Sequence, residues 1–171
     1  REHLCAKRII LGMNKPIERQ GCFAELVLVP DKNIYELPSN LDIKQAPIAE
    51  PTAVALHAVE LGEEALKKPL DQSRVLIIGG GAIGLLCALM LEKYKNCKEI
   101  VLVDPNEKRL KVCGDHLNSE TLKPDNITIK DSSFDMVFDT VGLEITRQNS
   151  IKLVNPGGVI IHIGLTQPSG T

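Results

Sequence analysis

Three glycines follow a short apolar run near the middle of the chain, and their spacing suits the binding of a phosphate. They are Gly79, Gly81 and Gly84, in the pattern G-x-G-x-x-G directly after residues 75–78. Where such a pattern joins a strand to a helix, the first glycine permits a tight turn and the second lets a pyrophosphate approach the backbone. The third lets the helix pack close to the strand, and the free N–H groups of its first turn face the anion. We therefore predict a dinucleotide site at this turn.

An acidic residue stands where a ribose-binding carboxylate is expected. Asp104 ends a second apolar run, 20 residues after Gly84. A carboxylate there accepts hydrogen bonds from a ribose 2′-hydroxyl and repels a 2′-phosphate, which favours NAD over NADP. Arg109 could neutralise such a phosphate and is included among the cofactor-binding candidates. Its place one helical turn later also suits a solvated helix residue.

The glycine segment has features in common with a membrane span, with a packing turn and with a methyltransferase site. Residues 75–91 carry no charge and approach the roughly 17–25 residues of a membrane-spanning helix. Three adjacent glycines disfavour one continuous helix, because each costs about 0.8–1 kcal/mol relative to alanine. A glycine turn that only packs stays open as an alternative. Methyltransferases that bind S-adenosylmethionine usually carry an acid inside the first strand, and residues 75–78 contain none.

The segments that must position these residues alternate between strand and helix patterns. Runs of β-branched apolar residues predict buried strands at residues 74–79, 99–104, 134–142 and 159–165. Helix formers predict helices at residues 47–66, at 82–94, from 106 and around 145–154. This alternation indicates right-handed crossovers and a parallel sheet. A separate strand is predicted at residues 22–30, and residues 114–133 leave room for only one strand and a loop.

Composition narrows the class of protein. The chain of 171 residues is 43% hydrophobic, which suffices for one domain plus part of a neighbour. A net charge of −2 and only 3% aromatic residues argue against a nucleic acid or an anionic membrane as partner. Five cysteines without a C-x-x-C pair and no signal peptide predict reduced thiols in the cytoplasm. The chain begins without Met, helix cap or strand signal, so we expect a piece of a longer polypeptide.

With these residues placed, the sequence resembles the zinc-containing medium-chain alcohol and polyol dehydrogenases, in particular the sorbitol and threonine dehydrogenase branch. The resemblance rests on the ordered segments GCFAELVLVP, EPTAVALHAV, VLIIGGGAIGLL, VLVDPNEKRL, DTVG and NPGGVIIHIGL. It implies an α/β fold, with a Rossmann-type NAD-binding domain at residues 47–171 that has helices on both faces of a parallel sheet and lacks its last strand. Residues 1–46 would be a β-rich remnant of a chaperonin-10-like catalytic domain. The implied activity is hydride transfer between an alcohol or polyol and NAD.

The resemblance also assigns roles to individual residues. Those along the pyrophosphate are Gly79, Gly81, Ala82, Ile83 and Gly84, and Asp104 binds the adenosine ribose. Those at the ribose and nicotinamide end are Thr140, Val141, Gly142, Ile163, Gly164 and Leu165. Glu50 matches a glutamate at the catalytic zinc, and Cys5 matches the last cysteine of the structural zinc lobe.

These zinc assignments concern a longer parent protein, which is expected to be a homodimer or homotetramer. Its principal zinc ligands would precede residue 1, so the isolated segment is expected to be inactive. A noncatalytic nucleotide-binding or redox-sensing module therefore stays open as an alternative. His57 and His162 are interpreted as packing or hydrogen-bonded core residues, because each lies in an apolar pattern.

Overall fold

The computed structural model describes residues 5–12, 19–126 and 130–165. The chain divides into two compact units, Arg1–Ile43 and Lys44–Thr171. No helix in the described part of the chain is long and apolar enough to cross a membrane.

The N-terminal unit corrects one prediction. Its described residues contain turns and one short 3-10 segment, Asp31–Asn33, but no strand, so the strand predicted at residues 22–30 is wrong. Apolar side chains of this segment are exposed, with Phe23 at 108% and Leu26 at 92% of full exposure. A strand needs a neighbour for its backbone hydrogen bonds, and no other described segment of this unit pairs with it. An apolar pattern without a partner does not produce a strand.

The described residues of the C-terminal unit form a five-stranded parallel sheet with four α-helices, which confirms the predicted fold class. The strands are β1 (Arg74–Ile78), β2 (Glu99–Val103), β3 (Glu120–Leu122), β4 (Phe134–Asp139) and β5 (Val154–His162). The helices are α1 (Ala49–Leu66), α2 (Ala82–Leu89), α3 (Glu107–His116) and α4 (Glu144–Leu153). The strand order is β3-β2-β1-β4-β5, and every pairing is parallel. The order reverses between β1 and β4, where open sheets of this kind bind ligands.

Successive side chains of the strands point to opposite faces, and each face is covered by helix. On one face, helices α1, α2 and α3 bury the larger core cluster, which includes Val59, Ile77 and Phe138. On the other face, α4 contributes Leu153 to a smaller cluster with Leu76. Helices thus lie on both faces, as the resemblance implies.

Two element boundaries differ from the prediction by five residues, and the others differ by three or fewer. The helix predicted at residues 82–94 changes after α2 into a π-helical segment, Met90–Tyr94. Strand β5 begins at Val154, five residues before the predicted start, since Phe134 pairs with Val154 while Met136 pairs with Val159. The extra residues form an irregular stretch around Pro156, which is tolerated because β5 is the edge strand of the described sheet.

The connection from α3 to β4 is short, as predicted. It holds the three-residue β3 and a 3-10 turn at Pro124–Asn126, and the remainder of the predicted loop includes residues 127–129, which lie outside the described residues. The cysteines are free thiols. Cys87, Cys97 and Cys113 are buried in the larger core cluster, and burial raises the pKa of Cys87 to about 12 and that of Cys97 to about 11.

One carboxylate ties together the amino ends of several strands. Asp135, near the start of β4, accepts hydrogen bonds from Lys68 Nζ at 2.8 Å, the Arg74 backbone N–H at 2.9 Å and Asn155 Nδ2 at 3.3 Å. Partial burial alone would raise the pKa of Asp135, but the three hydrogen bonds outweigh burial and hold that pKa below its usual value. The carboxylate therefore joins the chain after α1 to β1, β4 and β5.

We expect Asp135→Asn to lower the free energy of unfolding at pH 7 by about 1–2 kcal/mol, because the amide loses charge-assisted bonds. Folding lowers the pKa of Asp135. Its contribution to the free energy of unfolding is therefore complete above the unfolded-state pKa of about 4 and is lost as the pH falls through the folded-state pKa. Urea unfolding followed by circular dichroism at pH 7 and at pH 3 measures the loss of stability and its dependence on pH. The control is Asp131→Asn, whose ion pair with Lys152 is more than 60% exposed on both sides. Equal losses from both substitutions would contradict the role of Asp135.

Candidate functional site

The candidate site lies at the carboxyl ends of β1 and β4, where the strand order reverses. The glycine turn leaves β1, and Thr140 follows β4. The Thr140 hydroxyl lies 2.9 Å from the Ile78 carbonyl oxygen and 3.2 Å from the Gly79 carbonyl oxygen, so it can donate to either. The turns after the two central strands are thereby held against each other.

The glycine turn needs glycine at two positions for steric reasons. Gly79 has φ +107°, a left-handed conformation that favours glycine. A Cβ added at Gly84 would lie 1.8 Å from the Gly79 carbonyl oxygen, far inside van der Waals contact. Helix α2 therefore packs directly on the backbone of the turn, which is the geometry that the sequence pattern predicts for the third glycine.

Gly81 differs from its neighbours because the space beside it is open. A Cβ added there would meet no atom within 4 Å, and φ is an ordinary −74°. Gly81 is also the N-cap of α2, and no side chain caps that helix. The amide of Leu85 donates to the Gly81 carbonyl oxygen, so the N–H groups of Ala82, Ile83 and Gly84 have no partner inside the helix. Open space beside unpaired N–H groups and the positive end of a helix dipole suits an anion.

Asp104 has a structural role in addition to the ligand-binding role predicted from the sequence. Its side chain is 2% exposed and accepts the backbone N–H of Gly80 at 2.8 Å and that of Asn106 at 2.7 Å. Arg109 Nη1 approaches the same carboxylate at 3.4 Å, and the Arg109 side chain is 57% exposed. Asp104 therefore holds the glycine turn to the start of α3, and Arg109 is an exposed partner beside it. The position of a carboxylate directly after β2 can be recognised in the sequence. Its hydrogen bonds to the backbone amides cannot, because they depend on the conformation of the folded turn.

The turns after β4 and β5 also meet, which brings together the residues predicted for the nicotinamide end. A Cβ added at Gly164 would lie 2.3 Å from the Gly142 nitrogen, so the two backbones are in close contact. Gly142 has φ +85°, which favours glycine. The N–H groups of Ile163 and Gly164 donate to the Asp139 carbonyl oxygen at 2.9 and 3.0 Å. Residues 140–142 and 163–165 therefore form one continuous surface.

An apolar cleft of about 400 Å³ opens beside Gly79 on the face of the sheet that carries α4. Its walls include Val103, Pro105, Pro124, Val141, Leu143 and Ile145. A cleft of this kind suits a flat and largely apolar ring. Pro105, Leu143 and Ile145 are not among the residues predicted from the sequence. The signal that could have found them is their position just beyond the carboxyl ends of β2 and β4.

The residues proposed for zinc do not form a metal site within the described chain. Among the described residues, no three His, Cys, Asp or Glu side chains converge in a way that could hold a metal ion. Glu50 is exposed in the first turn of α1, and Cys5 is exposed in the other unit. A catalytic zinc takes three protein ligands, so these donors alone do not fit one. His57 is also exposed on α1, which corrects its interpretation as a core residue.

Known proteins resemble this chain over nearly its whole length. No protein-family model matches it. L-threonine 3-dehydrogenase of Proteus mirabilis is 30% identical over 174 residues, which cover 96% of this chain and 48% of that protein. The chain therefore spans about half the length of the curated relatives it matches.

Two solved structures are similar in fold. A candidate zinc-binding dehydrogenase from Sinorhizobium meliloti, bound to NADP, is 26% identical with a TM-score of 0.77 and covers 91% of this chain and 46% of its own. A protein from Escherichia coli described as a short chain alcohol dehydrogenase, complexed with NADH, is 22% identical with a TM-score of 0.83; the match covers 98% of this chain and 49% of that protein. Together with the glycine turn and the parallel sheet, the matches to the Proteus mirabilis and Sinorhizobium meliloti proteins show that the chain is similar to about half of a zinc-containing medium-chain alcohol or polyol dehydrogenase.

Proposed function

We propose that this chain is the NAD-binding part of a dehydrogenase that transfers hydride between an alcohol or polyol and NAD. The observation that carries the proposal is the open position at Gly81, beside the unpaired N–H groups of α2 and next to the buried Asp104. When bound, NAD would supply the hydride acceptor. The residues of the chain bind it, orient it and keep water from part of its surface.

Each part of NAD finds a matching chemistry along the site. The pyrophosphate fits the first turn of α2, where free N–H groups meet the helix dipole. A ribose hydroxyl fits beside Asp104 and Arg109, and the adenine ring fits the apolar cleft. The joined turns at residues 140–142 and 163–165 support the ribose and nicotinamide end, because their backbones are held by Asp139.

The electrostatics beside the ribose favour NAD over NADP. The Asp104 carboxylate is buried and would lie close to a 2′-phosphate, which it repels. Arg109 compensates part of that charge at 3.4 Å and, being exposed, is free to face a phosphate. We therefore assign a preference for NAD that Arg109 makes smaller than the carboxylate alone would give.

In the longer protein, we assign Glu50 to the catalytic zinc site and Cys5 to a structural zinc site. We also assign homodimers or homotetramers, a cytoplasmic location and small alcohol or polyol substrates. Residues 1–46 belong to the catalytic domain and residues 47–171 to the NAD-binding domain in this proposal. The resemblance to the family supports these assignments.

A noncatalytic nucleotide-binding module is the second candidate. Both candidates bind NAD, and they differ in whether the longer protein turns over an alcohol.

A substitution at Gly81 separates ligand binding from folding. Gly81→Ala adds a methyl group into open space, so the melting temperature should stay within about 2 °C of the wild type. Because that methyl group occupies the path of the pyrophosphate, NAD affinity should fall at least about tenfold, or 1.4 kcal/mol. Calorimetric titration of the whole chain with NAD measures the affinity.

The matched control is Gly114→Ala, in α3, where an added Cβ also meets nothing. It should leave NAD affinity unchanged and stabilise the fold slightly. Unchanged NAD binding by Gly81→Ala, or tighter wild-type binding of S-adenosylmethionine than of NAD, would overturn the proposed site.

Cofactor choice should depend on the charges beside the ribose. The wild type should bind NAD more tightly than NADP. Arg109→Ala should increase the ratio of NAD affinity to NADP affinity about three- to tenfold, because Asp104 then faces the 2′-phosphate without a cation beside it. Asp104→Ser should lower this ratio, because it removes the repulsion between the carboxylate and the 2′-phosphate. Titrations with both cofactors at one salt concentration test this, and a wild type that prefers NADP would refute the assignment.

The zinc assignment of Glu50 is tested in the longer protein. Glu50→Gln should cut alcohol turnover at least about a hundredfold while NAD affinity and melting temperature stay near wild type. Glu64→Gln, at an exposed position near the other end of α1, is the control. A lower melting temperature with wild-type turnover would instead indicate that Glu50 only stabilises the N-terminus of α1 through its charge.

A further inference from the structure

A buried carboxylate at the end of β4 is only half satisfied. Asp139 is 0% exposed, and its Oδ1 accepts the backbone N–H of Val141 at 3.1 Å and that of Gly142 at 3.0 Å. Its Oδ2 is also buried and receives no hydrogen bond from the described residues. A buried carboxylate oxygen without a donor is costly, so a partner for Oδ2 is expected nearby.

The side chain placed to be that partner is His162. It is the cross-strand neighbour of Asp139 in the pairing of β4 with β5, so both side chains lie on the same face of the sheet. His162 Nδ1 is 3.4 Å from Asp139 Oδ2, and 33% of the imidazole side chain is exposed. This separation is close to hydrogen-bond distance, and Nδ1 carries the proton in one of the two neutral imidazole tautomers.

A second basic side chain, Arg147, supports the neighbouring turn after β5. Arg147, on α4, donates from Nη2 to the Gly164 carbonyl oxygen at 3.2 Å, while its Nε is buried without a partner among the described residues. The guanidinium thus supports the turn after β5, whereas His162 faces the carboxylate that supports the turn after β4.

We propose that His162 is a positioning residue whose Nδ1–H donates to Asp139 Oδ2 and thereby fixes the turn at residues 140–142. The connection runs from His162 to the carboxylate, and from Oδ1 to the N–H groups of Val141 and Gly142. Gly142 in turn contacts Gly164, so the hydrogen bond secures both turns that support the nicotinamide end. The effect on ligand binding rests on the proposed function, but the link between His162 and the turn does not.

The test compares ligands that reach different parts of the site. His162→Leu removes the donor, so NAD affinity should fall about tenfold while ADP, which lacks the nicotinamide half, keeps its affinity within about twofold. His162→Gln retains a donor and should recover most of the NAD affinity. His116→Leu, the same exchange at the exposed end of α3, should change neither affinity. Titration calorimetry with NAD and with ADP measures each value.

Two further measurements test the link without any ligand. Amide hydrogen exchange at Val141 and Gly142 should accelerate at least about tenfold in His162→Leu and not in His116→Leu. In the wild type, nitrogen-15 NMR should show a proton on His162 Nδ1, and this result needs no variant to fold.

An unprotonated Nδ1, or unchanged exchange at both amides, would overturn the proposal. Equal losses of NAD and ADP affinity would also overturn it, because they indicate general destabilisation. A wild type that binds neither ligand would refute the proposed function and its nicotinamide-end consequence, and the exchange and NMR results would still decide the link from His162 to the turn.

Discussion

The contact between Gly84 and the Gly79 carbonyl oxygen is the constraint on which the rest of the site depends. Because no side-chain atom fits between them, α2 begins directly on the turn that leaves β1. This close start aims the free N–H groups of α2 into the space beside Gly81. It also sets the turn against Thr140, so the ends of β1 and β4 are fixed as one surface.

Two buried aspartates stabilise turns in the same way, at the ends of the two strands that flank β1. Asp104 follows β2 and holds the backbone of Gly80, while Asp139 ends β4 and holds the backbone of Gly142. In each case a carboxylate satisfies N–H groups that no helix or strand ladder reaches, which keeps the turn in one conformation. Each carboxylate also has one partly exposed basic neighbour, Arg109 or His162.

The sequence predicts the sheet and the glycine turn well, because both depend on local patterns. Apolar runs and helix formers are sufficient to place β1, β2, β4 and most of β5 in order with their helices, whereas for β3 they indicate only that residues 114–133 leave room for one strand. The second role of Asp104 and the pairing of Asp139 with His162 are not visible in the sequence, since they depend on which strands become neighbours. The strand expected at residues 22–30 fails for the same reason, because pairing is a property of the whole fold.

The three buried cysteines allow the opening of the larger core cluster to be followed with a thiol reagent. Cys87 comes from α2, Cys113 from α3 and Cys97 from the connection before β2, and all three lie in one cluster. A thiol reagent reacts with a buried cysteine only when the surrounding structure opens, whereas Cys5 and Cys22 are exposed and should react at once. If the three slow thiols react at one common rate, the core opens as a single cooperative unit. Different rates would show which of its helices leaves the sheet first.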